Sequence, residues 1–94
     1  LEYKISYIIK NDNEFRKCQK YLFLNGCVWN STESEELVLI NKIPEFYKRK
    51  IIIYVTTENR MLYGDDPYNG SITLIEFSTM MREDKLKRIL NRNR

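Results

Sequence analysis

Ninety-four residues, 43% apolar, 13% aromatic and 31% charged, with three glycines and two prolines, describe one small folded domain. Seven tyrosines with so little Gly and Pro argue against a disordered linker, and no apolar run approaches the roughly 20 residues of a membrane-spanning helix. The net charge of +3 is too small to mark a nucleic-acid binder by itself, and histidine, the commonest general base and metal ligand, is absent. A chain this short buries only about 60 to 65% of its unfolded surface, so a single core must use most of its aromatics.

Tyr3, Ile5, Tyr7 and Ile9 alternate with Lys4, Ser6, Ile8 and Lys10, the period of two that predicts a half-buried strand. Asn11 followed three residues later by Glu14 has the spacing of a capping box and opens a helix over Asp12 to Leu24. On that helix Phe15, Cys18 and Leu22 share one face, Arg16, Lys17 and Lys20 lie opposite, and Gly26 suits the left-handed position past its end. Cys27-Val28-Trp29 returns to extended structure, with Trp29 expected against the first helix. The polar stretch Asn30 to Glu36 then reads as a turn before Leu37 to Ile40, which predicts a hairpin. Ile51 to Thr57 is the most β-branched run and the expected central strand, with Met61-Leu62-Tyr63 as its short partner and Gly64 to Ser71 as a loop.

The segment from Ile72 to Phe77 admits a strand or a helix. Thr73 and Glu76 have capping-box spacing, and Ile72 and Phe77 fit the hydrophobic staple, so the expectation is a helix. Leu74, Phe77 and Met81 fall on one face of a continuous helix, whereas Leu86, Ile89 and Leu90 lie well around it, which predicts a kink or break near Arg82 to Asp84. The expected architecture is α+β: a single small antiparallel-rich sheet in the order β-α-β-β-β-β-α, with the helices on one face. Residues 1–81 form the domain and residues 82–94 a basic amphipathic helix or tail.

The charge is unevenly placed. From Arg82 to Arg94 six bases face two acids, a surplus of four, and the other 81 residues carry a net −1. Such a tail meets phosphate, an acidic protein face or an anionic surface, although a solvated helix end favoured by the helix dipole has the same composition.

Phe15, Gln19, Leu22, Phe23, Gly26 and Trp29 form an F-x3-Q-x2-LF-x2-G-x2-W string, followed by Ile51-Ile52-Ile53-Tyr54-Val55, Tyr63-Gly64 and Thr73-Leu74-Ile75-Glu76-Phe77. Over residues 3–77 this pattern resembles the small α+β accessory proteins of large tailed bacteriophages. The resemblance implies a viral protein acting in the cytoplasm of a host bacterial cell, of the class that modifies host functions or blocks host defences by binding. It supplies no catalytic residue, and the basic segment after Phe77 lies outside it.

Chemistry narrows the function further. Two thiols, Cys18 and Cys27, without imidazole cannot close a four-ligand zinc site within one chain, and no glycine-rich phosphate loop is present, so no metal or cofactor is expected. Nothing at the N-terminus resembles a signal peptide, which points to a reducing compartment and free thiols, with Cys18 in the core. An enzyme would have to rely on Asp65 and Asp66 beside Tyr63 and Tyr68, a pair that reads as turn-forming. The expected function is therefore binding without catalysis. RNA or an RNA–protein complex would be held by Lys48, Arg49, Lys50, Lys85, Lys87, Arg88, Arg92 and Arg94, with Tyr7 and Tyr54 as candidate stacking rings, though a strand Tyr is more often core. The alternative is a protein-only inhibitor or adaptor that docks on a host protein, or on a second copy of the chain, through the sheet edge or through Leu86, Ile89 and Leu90.

Overall fold

The structure, a computed structural model, describes residues 2–39, 41, 43, 51–65 and 73–92, with side chains followed to Lys87 in the last helix. Its elements are β1 (Tyr3–Ile9), α1 (Asp12–Leu24), β2 (Val28–Trp29), β3 (Ile51–Thr56), β4 (Arg60–Gly64), β5 (Thr73–Glu76) and α2 (Phe77–Arg92). They form an α+β domain around one five-stranded mixed sheet, in the spatial order β2-β4-β3-β1-β5. The longer ladders are antiparallel, β1 with β3 and β3 with β4, while the edge strands β5 and β2 join in parallel.

β3 is the central strand, and all six of its residues are buried. A β-branched run broken only by Tyr54 suits a strand covered on both faces. Ile51, Ile53 and Val55 join Tyr7, Ile9 and Met61 under Phe15, Cys18 and Leu22 of α1 and Phe77 of α2, so both helices build one core on one face. Ile52 and Tyr54 occupy the second face. There Tyr3, displaced by a register shift between Tyr3 and Ile5, packs its ring 5.2 Å from that of Tyr54. Gly64 makes room for the same ring, because a Cβ at that position would lie 2.7 Å from the Tyr54 hydroxyl.

α1 forms where its caps specify. The Asn11 side chain accepts from the Glu14 amide at 2.9 Å, and the Glu14 carboxylate reaches back to the Lys10 amide at 3.2 Å. At the other end Gly26 takes φ +84, and the Cys27 and Gly26 amides donate to the Leu22 and Phe23 carbonyls at 3.0 and 3.1 Å, the paired bonds of a Schellman motif.

Three expectations are corrected. The hairpin through Leu37 to Ile40 does not form: Leu37 to Leu39 is irregular, and Ile40 lies outside the described residues. Gln19 takes the place of a strand partner there, receiving the Val38 amide at 2.7 Å and donating to its carbonyl at 2.9 Å from a fully buried position on α1. β2 instead pairs in parallel with β4, Val28 opposite Arg60 and Trp29 opposite Met61. The fifth strand is Thr73–Glu76, so the expected element order holds with a different member.

The second correction concerns that strand, for which the capping-box spacing predicts a helix. Thr73 to Glu76 pairs with Ile5 to Ile8 of β1, and four registered pairs with a β-branched Thr and Ile outweigh a local cap. Glu76 turns its carboxylate to Lys10 at 3.3 Å and to the Thr79 hydroxyl at 3.4 Å instead of capping with Thr73. Third, the expected kink near Arg82 to Asp84 is absent, and α2 runs unbroken from Phe77 to Arg92. Its apolar stripe changes phase without penalty because the helix leaves the body there. Phe77 is buried and Ser78, Met80 and Met81 are half-buried, but every residue from Arg82 to Lys87 is exposed. A 16-residue helix spans about 24 Å, and the molecule extends 45 Å along its long axis against 26 Å across.

Candidate nucleic-acid interface

α1 and α2 lie side by side on the same face of the sheet, joined where Tyr21, Tyr7 and Phe77 meet with ring centroids 6.2 to 6.4 Å apart. This aromatic junction anchors only the first turns of α2. α1 buries Phe15, Cys18, Gln19 and Leu22, which leaves Arg16, Lys17 and Lys20 on its outer side, all exposed. On α2 the cations Arg82, Lys85 and Lys87 are exposed on the stretch that stands clear of the body.

Arg16 apart, these cations lack the partners that the cations of the body have. Lys10 pairs with Glu76 at 3.3 Å, Arg60 with Glu33 at 3.6 Å and Arg16 with Asp12 at 3.7 Å, while Lys4 donates to the Asn59 side chain. Among the described residues, Lys17, Lys20, Arg82, Lys85 and Lys87 form no ion pair. Unpaired charge therefore concentrates on the two helices. An exposed ammonium with no carboxylate beside it is available to a phosphate without first giving up another partner.

The expected site residues divide accordingly. Lys85 and Lys87 are exposed on α2, and Leu86 between them is 55% exposed. Arg88, Ile89, Leu90 and Arg92 continue the same helix, whose side chains are described only to Lys87. Lys48, Arg49, Lys50 and Arg94 lie outside the described residues, as do Asp66 and Tyr68. Arg16, Lys17 and Lys20, which the sequence offers as the polar face of α1 and as a second stripe for RNA contact if the C-terminal segment is not the site, are exposed, with Arg16 paired to Asp12. Their i, i+1, i+4 spacing opposite Phe15 and Cys18 was the available signal.

The candidate stacking rings are not available. Tyr7 sits in the main core and Tyr54 is buried on the second face. Burial, with Tyr21 beside it, pushes the Tyr7 phenol well above its ordinary value. Burial likewise raises the Cys18 thiol, reinforced by nearby Cys27, and it raises Cys27 against the opposing pull of Lys4. Both cysteines are buried and free, and burial holds them as thiols and not as nucleophilic thiolates. Trp29 is 4% exposed with its ring 5.9 Å from that of Tyr63, and its indole N–H has no hydrogen-bond partner among the described residues. Among the described residues no three Cys, Asp or Glu side chains cluster as a metal site would require, and no helix is long and apolar enough to cross a membrane.

What this arrangement can do chemically is attract polyanions to the exposed, unpaired cations of the two helices. It offers no exposed ring platform among the tyrosines that the sequence singled out. Comparison with protein families, with curated proteins and with solved structures finds no match to this chain.

Proposed function

We propose that this chain is a non-catalytic binding protein that grips RNA, alone or within an RNA–protein assembly, through the exposed cations of α2, with Lys17 and Lys20 of α1 as a second group. One observation carries the reading: Arg82 to Lys87 are all exposed on a helix that continues beyond the body, with Arg82, Lys85 and Lys87 free of ion pairs among the described residues. The exposed side chains of Arg82 to Lys87 hold none of the core, and the cations among them supply the long-range, non-directional attraction on which phosphate binding rests. With Tyr7 and Tyr54 in the interior, recognition is directed at the sugar–phosphate backbone and RNA shape, with little reading of bases. We read the target as a host bacterial factor or defence system that binding antagonises, on no more than the resemblance of the motifs in residues 3–77 to phage accessory proteins.

The test is recovery of RNA with the tagged chain from bacterial lysate, with and without ribonuclease, for the wild type and for the double variant Lys85→Glu/Lys87→Glu. The reading expects ribonuclease-sensitive RNA with the wild type and a loss of at least about tenfold with the variant, whose circular dichroism stays unchanged. Equal RNA recovery from both proteins, or a capture of protein alone that ribonuclease leaves intact, contradicts it.

A further inference from the structure

The C-terminus of α1 carries a reactive pair of residues. Asn25-Gly26 and Asn69-Gly70 are the two Asn-Gly steps of the chain, and the second lies outside the described residues. Glycine after asparagine leaves the backbone nitrogen unscreened by a side chain, so that nitrogen can close a five-membered ring on the asparagine amide carbon. Leu24, Asn25 and Gly26 are all exposed, and a Cβ added at Gly26 would meet nothing within 4 Å, so water and its ions reach both reacting groups. The folded cap nevertheless keeps those groups apart. Asn25 Nδ2 donates to the Tyr21 carbonyl at 2.8 Å and the Gly26 amide to the Phe23 carbonyl at 3.1 Å. Asn25 also holds ψ 16, which turns the Gly26 nitrogen away from the Asn25 side chain. The bonds that stop α1 therefore also hold nucleophile and electrophile out of reach until the end of the helix opens, and helix ends open ahead of the global unfolding of a domain.

We propose that Asn25 is a site of spontaneous deamidation, gated by opening of the α1 cap, and that the product keeps the cap from closing again. In the opened end the Gly26 backbone nitrogen gives its proton to solvent base and attacks Asn25 Cγ. The N–Cγ bond forms, the Cγ–Nδ2 bond breaks, and Nδ2 takes up a proton and leaves as ammonia. Water then opens the succinimide. Attack at Cγ restores the main chain and leaves aspartate, whereas attack at the backbone carbonyl leaves isoaspartate, so one water enters and one ammonia departs with no oxidant or cofactor. Either product sets a carboxylate where Nδ2 met the Tyr21 carbonyl. A negative charge there lies at the negative end of the helix dipole, and α1 has no base in its last turn to offset it. Lys4, which lines the same groove as Asn25, already donates to the Asn59 side chain. Isoaspartate further inserts a methylene into the main chain between Leu22 and Cys27, whose carbonyl and amide close the motif at 3.0 Å.

The experiment ages the full chain in mildly alkaline buffer, folded or unfolded in urea, and maps its peptides by mass spectrometry for the mass gained when an NH2 becomes an OH. In urea Asn25 and Asn69 should react at similar rates, and folding should slow Asn25 by at least about tenfold without abolishing its reaction. Leu24→Gly loosens the last turn of α1 at a position 88% exposed and leaves the Asn-Gly pair intact. It should speed Asn25 in the folded chain by about threefold and leave the rate in urea unchanged. Folded chain separated by charge into reacted and intact fractions should then unfold at a lower urea midpoint where Asn25 alone has reacted. An Asn25 rate equal in folded and unfolded chain overturns the proposal. So does a folded chain inert at Asn25, a Leu24→Gly rate equal to the wild type, or a reacted fraction as stable as the intact one.

Discussion

Gln19 is the residue on which the middle of the chain depends. Its amide faces the Val38 peptide as a neighbouring strand would, giving an acceptor at 2.7 Å and a donor at 2.9 Å from a position with no solvent exposure. Gln19→Leu keeps the volume but strands a part-buried N–H and C=O, so stability to urea should fall by about 2 kcal/mol, with the loss read as a lower midpoint at unchanged slope. Trp29 tests the core at the same scale. Its indole is buried beside Tyr63, so native emission should be blue-shifted, and Trp29→Ala should lower the unfolding free energy by roughly 3 to 5 kcal/mol. Emission typical of water-exposed indole in the native protein would contradict the packing.

At the scale of elements, what could be read from the sequence was what local rules decide. β1 alternates and appears at Tyr3–Ile9, and α1 starts and stops at its own caps, Asn11 and Gly26. Gly26→Ala should therefore lower stability by about 1 kcal/mol or slightly more in the same denaturation experiment, because φ +84 is strained for any residue with a Cβ. Two segments were misread where interactions distant in sequence win. Leu37 to Leu39 has the composition of a strand, but Gln19, nineteen residues before Val38, satisfies its backbone from a helix. Thr73 to Glu76 has the spacing of a capping box, but β1, at the other end of the chain, offers an open edge with matching register. The α2 cations were visible as composition. Their isolation from acidic partners was not, since it depends on where the helix leaves the body and on which carboxylates Lys10, Arg16 and Arg60 engage.

The whole molecule divides into a body that packs and a helical stretch, Arg82 to Lys87, whose side chains are all exposed. The body's buried acids make it sensitive to alkali. In the native state Tyr7, Cys18 and Cys27 lose their protons at higher pH than in the unfolded chain, where a thiol ionises near 9.0. Above that pH the unfolded state releases protons that the folded state retains, so the contribution of these groups is complete below about pH 9 and declines as pH rises further. Urea midpoints should accordingly be level from about pH 7 to 8 and fall above about 9. Cys18→Ala should flatten that decline while lowering stability at neutral pH by leaving a cavity under α1.

The helix end should leave these properties nearly unchanged when it is removed, because Arg82 to Lys87 are all exposed. Whether this end is the element that binds RNA is decided by the salt dependence of affinity for single-stranded RNA, measured for the full chain and for a chain lacking Lys85 to Arg94. The deletion removes five cations, Lys85, Lys87, Arg88, Arg92 and Arg94. The predicted result is weaker binding whose log–log salt slope is flatter by ~0.7 for each phosphate that the shortened chain no longer neutralises, with a gap between the two proteins that narrows as salt rises. RNA binding that survives the deletion with its affinity and salt slope intact would show that RNA is held elsewhere on the molecule.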